Sequence, residues 1–560
     1  MYDENIEIVK VGPLRLFRAI MDRIGIVQII NAAVKWDETQ WKISPGTLVA
    51  AMMMAVFCGR RALFSLNKLY ARQDLELLFG RTDLSAEDFN DDCLGRALDR
   101  LAEADFNAIF GGIVLQAFAE YGLNSDTIHA DTTSVSVYGD YESRDEEEPL
   151  VLARGHSKDH RPDLKQFKYG LATNGDGIPI YGETLDGNYD DKKWSRDFLE
   201  HAPDLKRFMT GKTVIVADAA AMSGKSLEAI KRYRLRVVSR LPETFALCGE
   251  LTERAFAEGN WQPSTHADDP KKNAAYKLQP FRAHLVNGEY SFVVVQSESL
   301  AGTKEKTVEK AVAKEADQLS KALADFGKKR FGSMDEAGAA WSLEAAHLAP
   351  RYHTLAFAFR RYEEAIVRPR PGRPRKGEKA RYQTLYGIEG TATRDEERIQ
   401  RTKDMEGTFV LFCSAPELTP SEMLRVYKEQ AAVENRFRFL KSPYFVGPVD
   451  LKLPRRVKAL GYVMLMTLLV YSLFEWSVRE GLKRENEPYH VAGSYRTFRP
   501  RGDTVLPELE DVAIYTVRGP EGVIRKLPAN YSRQTERIVR LCGFDMSIYV
   551  NSPLESQVVV

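Results

Sequence analysis

Cysteine is scarce in this chain. Five residues (Cys58, Cys93, Cys248, Cys413 and Cys542) are scattered over 560 positions, and none forms a Cys-x-x-Cys pair. That count excludes a disulfide framework and a cysteine zinc cluster, and it points to reduced thiols in a cytoplasmic protein. Long apolar runs are missing too. The longest uncharged stretch, Ala459 to Phe474, has 16 residues, short of the ~20 of a membrane span. It reads as a buried core helix, and no membrane association is expected. The start, Met1-Tyr-Asp-Glu-Asn5, lacks the features of a signal peptide. Neither sign of charge is in excess: 79 Lys plus Arg balance 79 Asp plus Glu. This excludes a uniformly basic protein, although a nucleic-acid binder needs only local basic surface. The charge is segregated. Asp140, Glu142, Asp145, Glu146, Glu147 and Glu148 form one block; Arg368, Arg370, Arg373, Arg375, Lys376, Lys379 and Arg381 form another. No internal repeat is visible.

What the chain does have is three acids in telling places. Asp131 ends the extended run Thr127-Ile-His-Ala-Asp131, and Asp218 ends Thr213-Val-Ile-Val-Ala-Asp218. Glu434 lies in a basic helical stretch, Tyr427 to Lys441. Taken singly, an Asp at a strand end is as readily a turn residue or a helix cap. Together, two strand-end carboxylates and one helical carboxylate suit hard divalent cations, which take oxygen ligands. Two such ions can clamp the attacking and leaving oxygens of a phosphoryl transfer. The stretch from Tyr427 is expected to form one helix. Positions +3, +7 and +14 (Gln430, Glu434 and Lys441) then share a face, with Arg436 and Arg438 adding charge for a polyanion. An exposed helix with a Glu434–Arg438 i,i+4 pair is the alternative.

The order of elements is read as follows. Residues 1–115 are mostly helical: an apolar helix from Leu48, one opened by Ser85, and one from Leu94 to Phe106. They form either a DNA-binding or a packing module. Residues 116–242 carry extended segments near 127–138, 166–173 and 178–185, the last two joined by the hairpin signal Asn174-Gly-Asp-Gly177. Helix, strand, helix and strand follow. The implied fold class is α/β: a ribonuclease H-like mixed sheet with flanking helices, in which the first and fourth strands set Asp131 beside Asp218. Residues 243–415 are expected to interrupt this core as a β-rich and helical insertion. Residues 416–482 return to the core with the Glu434 helix, and 483–560 form a C-terminal region of no assigned role.

Three motifs have rival readings. Gly224-Lys225-Ser226 resembles the end of a phosphate-binding loop, but Ala219 stands where that loop needs glycine, so a helix start is expected. His156 and His160 have helical metal-ligand spacing, but Gly155 and Pro162 disfavour a helix; a DNA-contacting loop is expected. Pro371-Gly-Arg373-Pro-Arg375-Lys376 reads either as an arginine arm for a narrow minor groove or as a loop contacting phosphates unspecifically.

Further segments make the chain familiar: His129-Ala-Asp131-Thr-Thr-Ser134, Gly155-His-Ser-Lys-Asp159, Leu164-Lys-Gln-Phe-Lys-Tyr-Gly170, Gly182-Glu-Thr-Leu-Asp-Gly187-Asn188 and Val214-Ile-Val-Ala-Asp218. Over roughly residues 85–475 the chain resembles transposases of the IS4 superfamily of bacterial insertion sequences, most closely the IS1634-type group. The superfamily's Tyr-x2-Arg-x3-Glu-x6-Lys signature is matched by Tyr427, Glu434 and Lys441, with Gln430 in place of arginine. The resemblance implies Asp131, Asp218 and Glu434 as a catalytic, metal-binding triad for Mg2+, with Mn2+ able to substitute. It implies Tyr427, Gln430, Arg436, Arg438, Lys441, Arg373 and Arg375 as DNA contacts, double-stranded DNA as partner and a homodimer on it. It also implies hairpin intermediates with a flipped base, for which Trp261 and Trp341 are candidates. The expected activity is cleavage at element ends and joining of 3′-hydroxyls to target DNA. An inactive DNA-binding descendant and a nuclease without joining activity are the alternatives.

Overall fold

The computed structural model describes residues 5–59, 62–139, 141, 149–155, 161–201, 205–265, 275–366, 381–442, 451–491, 495–519, 522–529 and 531–553. The acids of 140–148, His156 and His160, and Arg373 and Arg375 lie outside the described residues.

Between residues 14 and 121 helices dominate, including Pro45–Val56, Asp91–Glu103 and Phe106–Tyr121. Their starts are encoded locally. Ser44, Asn90 and Asp105 each accept a hydrogen bond from the backbone N–H three residues on, which satisfies an otherwise orphaned donor. Ser85 caps only a short 3-10 turn, Ala86–Phe89, through a reciprocal capping box with Asp88. The α-helix expected there begins instead at Asp91, under Asn90. One strand, β1 (Asn5–Lys10), pairs antiparallel with Ala513–Gly519, so segments near the two ends of the sequence meet in one small sheet.

Eleven strands bear on the centre: β2 (Thr127–Val137), β3 (Lys165–Asn174), β4 (Pro179–Leu185), β5 (Val214–Ala217), β6 (Val237–Arg240), β7 (Gln262–Thr265), β8 (Ala275–Leu285), β9 (Gly288–Ser297), β10 (His353–Ala365), β11 (Tyr382–Arg394) and β12 (Thr408–Cys413). Nine form one mixed sheet in the order β4-β3-β2-β5-β6-β12-β9-β8-β7, and β10 and β11 stand apart as a ribbon. β2, β5 and β6 run parallel. The other neighbours run antiparallel.

The sheet corrects the expected insertion. β12 lies between β6 and β9, so β7–β9 extend the core sheet instead of forming a unit of their own. Every residue of β12 is buried, as a central strand covered on both faces requires. The excursion from the sheet is residues 298–406. Its ends are adjacent, because the Ser297 N–H donates to the Gly407 carbonyl at 3.0 Å. It contains the helices Glu298–Phe326 and Met334–Leu348 and the β10–β11 ribbon. Leu323, Phe326, Ala337, Trp341 and Ile388 form a small apolar core within it.

The long helix Pro454–Glu485 packs against β4 and the helices Pro45–Val56 and Asp91–Glu103. It is long and apolar enough to cross a membrane, but 89% of its apolar window is buried inside the protein.

Candidate active site

β2 and β5 pair in parallel as far as Ala130 and Ala217. Asp131 is the next residue of β2, and Asp218 is the first residue past the end of β5. Adjacent strands lie about 4.8 Å apart, so the two carboxylates rise from neighbouring positions. Asp131 does not end its strand, as the sequence suggested. β2 continues to Val137 because β3 pairs along its other edge, with Asp131 opposite Leu171. The strand that stops is β5, so Asp131 sits where β2 loses its parallel neighbour. Asp218 leaves the sheet and caps a short turn, its Oδ1 accepting from the Ala219 N–H at 2.7 Å. Asp131 Oδ1 accepts from the Thr132 N–H at 2.7 Å. The Ser239 hydroxyl, from β6, donates to the Asp218 carbonyl at 3.2 Å. Asp218 is exposed and Asp131 half-buried.

The stretch from Tyr427 to Lys441 is two helices, not one. Pro420–Lys428 ends at Glu429, whose ψ of −4° breaks the ladder, and Ala431–Lys441 begins after Gln430. The single continuous helix expected for Tyr427, Gln430 and Glu434 is therefore not formed. The second helix packs on β2, with Val433 and Phe437 buried and Glu434 exposed in its first turn. Tyr427 links the acids. Burial raises its phenol pKa most, and the carboxylates of Asp218 and Glu434 raise it further, against the opposing charge of Arg240. The phenol thus lies within the electrostatic reach of both acids. Gln430 is half-buried at the helix junction, and Lys441 is half-buried in the last turn.

Arg436 is not a DNA contact here. It is 4% exposed. Its Nε donates to the Gly177 carbonyl (2.7 Å), and its guanidinium pairs with Glu475 of the long helix (2.8 Å). Arg436 therefore fastens the Glu434 helix to the β3–β4 turn and to the long helix. Arg438, two residues on, is exposed. Trp341 is 5% exposed, packed edge-on to Phe326, so it offers no face to a flipped base. Trp261 is half-buried beside Phe256. Gly224-Lys225-Ser226 is an ordinary helix start capped by Ser223.

Sequence reading missed Arg240 and Lys428. Arg240 ends β6, the next parallel strand beyond Asp218, with its guanidinium 5.6 Å from the Phe409 ring centre. The Lys428 ammonium sits near the same ring, at 5.6 Å. The usable signal was topological: ligands in such sheets bind beyond the carboxyl ends of parallel strands.

Oxygen donors of this kind suit a hard divalent ion, and the Asp131–Asp218 pair fits one. Among the described residues no three His, Cys, Asp or Glu side chains converge closely enough to hold a metal.

Comparison with known proteins assigns the class. A family model described as "Transposase DDE domain" matches residues 125–470, more than half of the chain, and the protein belongs to that family. A second, "Domain of unknown function (DUF4277)", matches residues 6–115. No curated protein matches. Among solved structures, the cryo-EM piggyBac transposase synaptic complex with hairpin DNA is similar over 94% of this chain and 81% of that one, at 12% identity and a TM-score of 0.33.

Proposed function

We propose that the protein is a transposase of the IS4 superfamily, of the IS1634-type group. It cuts DNA at the ends of an insertion sequence and joins the 3′-hydroxyls to target DNA, acting in the cytoplasm as a homodimer on double-stranded DNA. The carrying observation is the placement of Asp131 on β2 and of Asp218 directly after the neighbouring parallel strand β5, with the Glu434 helix packed on β2, in a chain of the transposase DDE domain family. The order β4-β3-β2-β5-β6 supports a ribonuclease H-like core, and the helical residues 1–115 suit end binding.

Asp131, Asp218 and Glu434 would hold Mg2+ or Mn2+, which supplies charge neutralisation and acidifies water for attack on a phosphodiester. The chain's residues do the rest. The Thr132 and Ala219 N–H groups fix the two aspartates. Glu434, exposed on the first turn of its helix, would complete the ligand set. Arg240, Lys428, Arg438 and Lys441 face the approaching polyanion with positive charge. The Tyr427 phenol, its pKa raised, keeps its proton and can donate it in a hydrogen bond to phosphate. Gln430, where the superfamily signature has arginine, favours a second reading: a DNA-binding descendant without cleavage.

The test uses a labelled duplex carrying the inverted repeats that flank the gene, with Mg2+ and a supercoiled target. Strand-transfer products establish the transposase. Cleavage without joining indicates a nuclease, and binding without cleavage the inactive descendant.

A further inference from the structure

The β10–β11 ribbon is sparsely covered. No residue of β10 from Thr354 to Ala365 is buried, and Phe357, Phe359 and Ile366 keep 44%, 38% and 47% of their surface open to solvent. Two strands alone are marginal in water, and further strands stabilise them. The ladder shows which backbone groups are free. The Ile366 N–H donates to the Arg381 carbonyl at 2.7 Å, and the Asp395 N–H donates to the Tyr352 carbonyl at 2.9 Å. Hydrogen-bonded pairs alternate with non-bonded ones in an antiparallel ladder. Even-numbered residues of β10 therefore bond to β11, and odd-numbered ones turn their N–H and C=O outward. On β11 the outer edge is met at Tyr386, which exchanges two hydrogen bonds with Phe331 (2.8 and 2.9 Å). On β10, among the described residues, no hydrogen bond reaches the outward groups of Phe357, Phe359, Arg361 and Glu363.

The sequence along that edge is Phe359-Arg360-Arg361-Tyr362-Glu363-Glu364-Ala365, and its charge inverts about Tyr362. Consider a second copy laid antiparallel on the edge, with a twofold axis at Tyr362. Arg361 then stands opposite Glu363 of the second copy and Arg360 opposite its Glu364, each pair occurring twice. Phe359 meets Ala365, and Ala358 meets Ile366. Opposite charges across a strand pair are favourable, and like charges are unfavourable. An axis at Arg361 or at Glu363 would set that residue against its own copy. An axis between two residues would set outward groups against inward ones, which the ladder excludes. Charge that only keeps strand edges apart needs one sign; this pattern draws two copies together. The pairs within the chain, Arg361–Glu363 at 3.2 Å and Arg360–Glu389 at 2.6 Å, are exposed. Such pairs are weak and can be exchanged for pairs across the axis. We propose that the free edge of β10 is a dimer contact, at which two copies join their ribbons into one four-stranded antiparallel sheet. A twofold contact of this kind is self-complementary and closed. It deepens the homodimer of the proposed function and rests on it, and it lies on the excursion, outside the strands that carry the acidic pair.

The experiment is sedimentation velocity of the full chain over a range of concentrations, alone and with a DNA duplex. Wild type is expected to dimerise. R360E/R361E and E363R/E364R each place like charges across the axis, and each is expected to raise the dimer dissociation constant at least about tenfold. Mixing the two variants restores every pair, as does the single chain carrying all four substitutions; both are expected to dimerise like wild type. Tyr362→Cys gives a second readout. Opposite residues of a non-hydrogen-bonded pair have Cα atoms about 4.5 Å apart, within disulfide reach. The oxidised variant is expected to run as a covalent dimer that wild type does not form. Double variants that dimerise like wild type overturn the contact and leave the homodimer standing. Loss of dimer that neither mixing nor the four-fold swap restores assigns these charges to the folding of the excursion and also overturns it. A dimer that Y362C does not cross-link overturns the register. A wild-type chain that stays monomeric, free and with DNA, overturns the contact and the proposed homodimer together.

Discussion

At the scale of single residues, the aspartates carry the most testable chemistry. Each is fixed by a backbone N–H. Asp131→Asn, Asp218→Asn and Glu434→Gln remove one oxygen-ligand charge each, while DNA affinity comes mainly from basic contacts. Each variant is expected to lose at least about 100-fold in end cleavage, about 2.7 kcal/mol of barrier, with gel-shift affinity in Ca2+ unchanged. Cleavage near the wild-type rate by any of the three would falsify its assignment. Gln430 makes a second residue-scale case. Gln430→Arg adds a bidentate cation donor at the helix junction, and the salt slope of DNA binding should steepen by about 0.9 if the position faces phosphate. An unchanged slope and affinity would show that Gln430 does not reach the backbone.

At the scale of elements, the decisive joint fastens the Glu434 helix. Gly177 sits at φ +79°, and a Cβ there would lie 2.8 Å from the Arg436 Nε and Nη2. Glycine is needed twice over, for the left-handed turn and for the close guanidinium. Gly177→Ala should cost about 1–3 kcal/mol in urea denaturation, and it should lower cleavage by displacing the helix. The same joint sets an acid limit. Burial alone would raise the Glu475 pKa, but Arg436, Arg479 and the Gly502 N–H together hold it below the ordinary value of 4.5. A depressed carboxylate pKa stabilises the fold above the unfolded value, and that stability is lost as pH falls through the folded one. Melting temperature should therefore drop as pH falls below about 4.5. Glu475→Gln should be less stable at neutral pH and should show a flatter acid limb. An equally steep limb in that variant would place the acid sensitivity elsewhere.

At the scale of the whole molecule, residues 298–406 leave the sheet and return at adjacent points, Ser297 and Gly407. β9 and β12 are already antiparallel neighbours, with Gln296 opposite Thr408, so a short turn can replace the excursion. Its apolar core around Trp341 is its own. The chain with 298–406 replaced by a glycine-containing turn is expected to unfold in one cooperative transition and to keep its far-ultraviolet strand signal. Loss of cooperative melting would show that the nine-stranded sheet depends on the excursion.

Much of this was legible in the residues because local rules write it. Asn174 to Gly177 specifies the β3–β4 hairpin, the apolar run from Leu48 lies in a helix, and the Val214–Ala217 run ending in Asp218 reads as a buried strand with an acid beyond its end. The break between the helices of Tyr427 and Glu434 was not legible, because Glu429 and Gln430, where it falls, are neither proline nor glycine. Nor was the burial of Arg436. Its charge looks exposed in sequence and is compensated by Glu475, 39 residues after it, and by the Asp176 and Gly177 carbonyls, 260 and 259 before it. The place of β12 between β6 and β9 was equally hidden, since its apolar run fits any central strand. Sequence by itself determined which residues form the strands, turns and acids. Only the tertiary structure decided which strands become neighbours and which charges face solvent, because both depend on contacts between segments hundreds of residues apart.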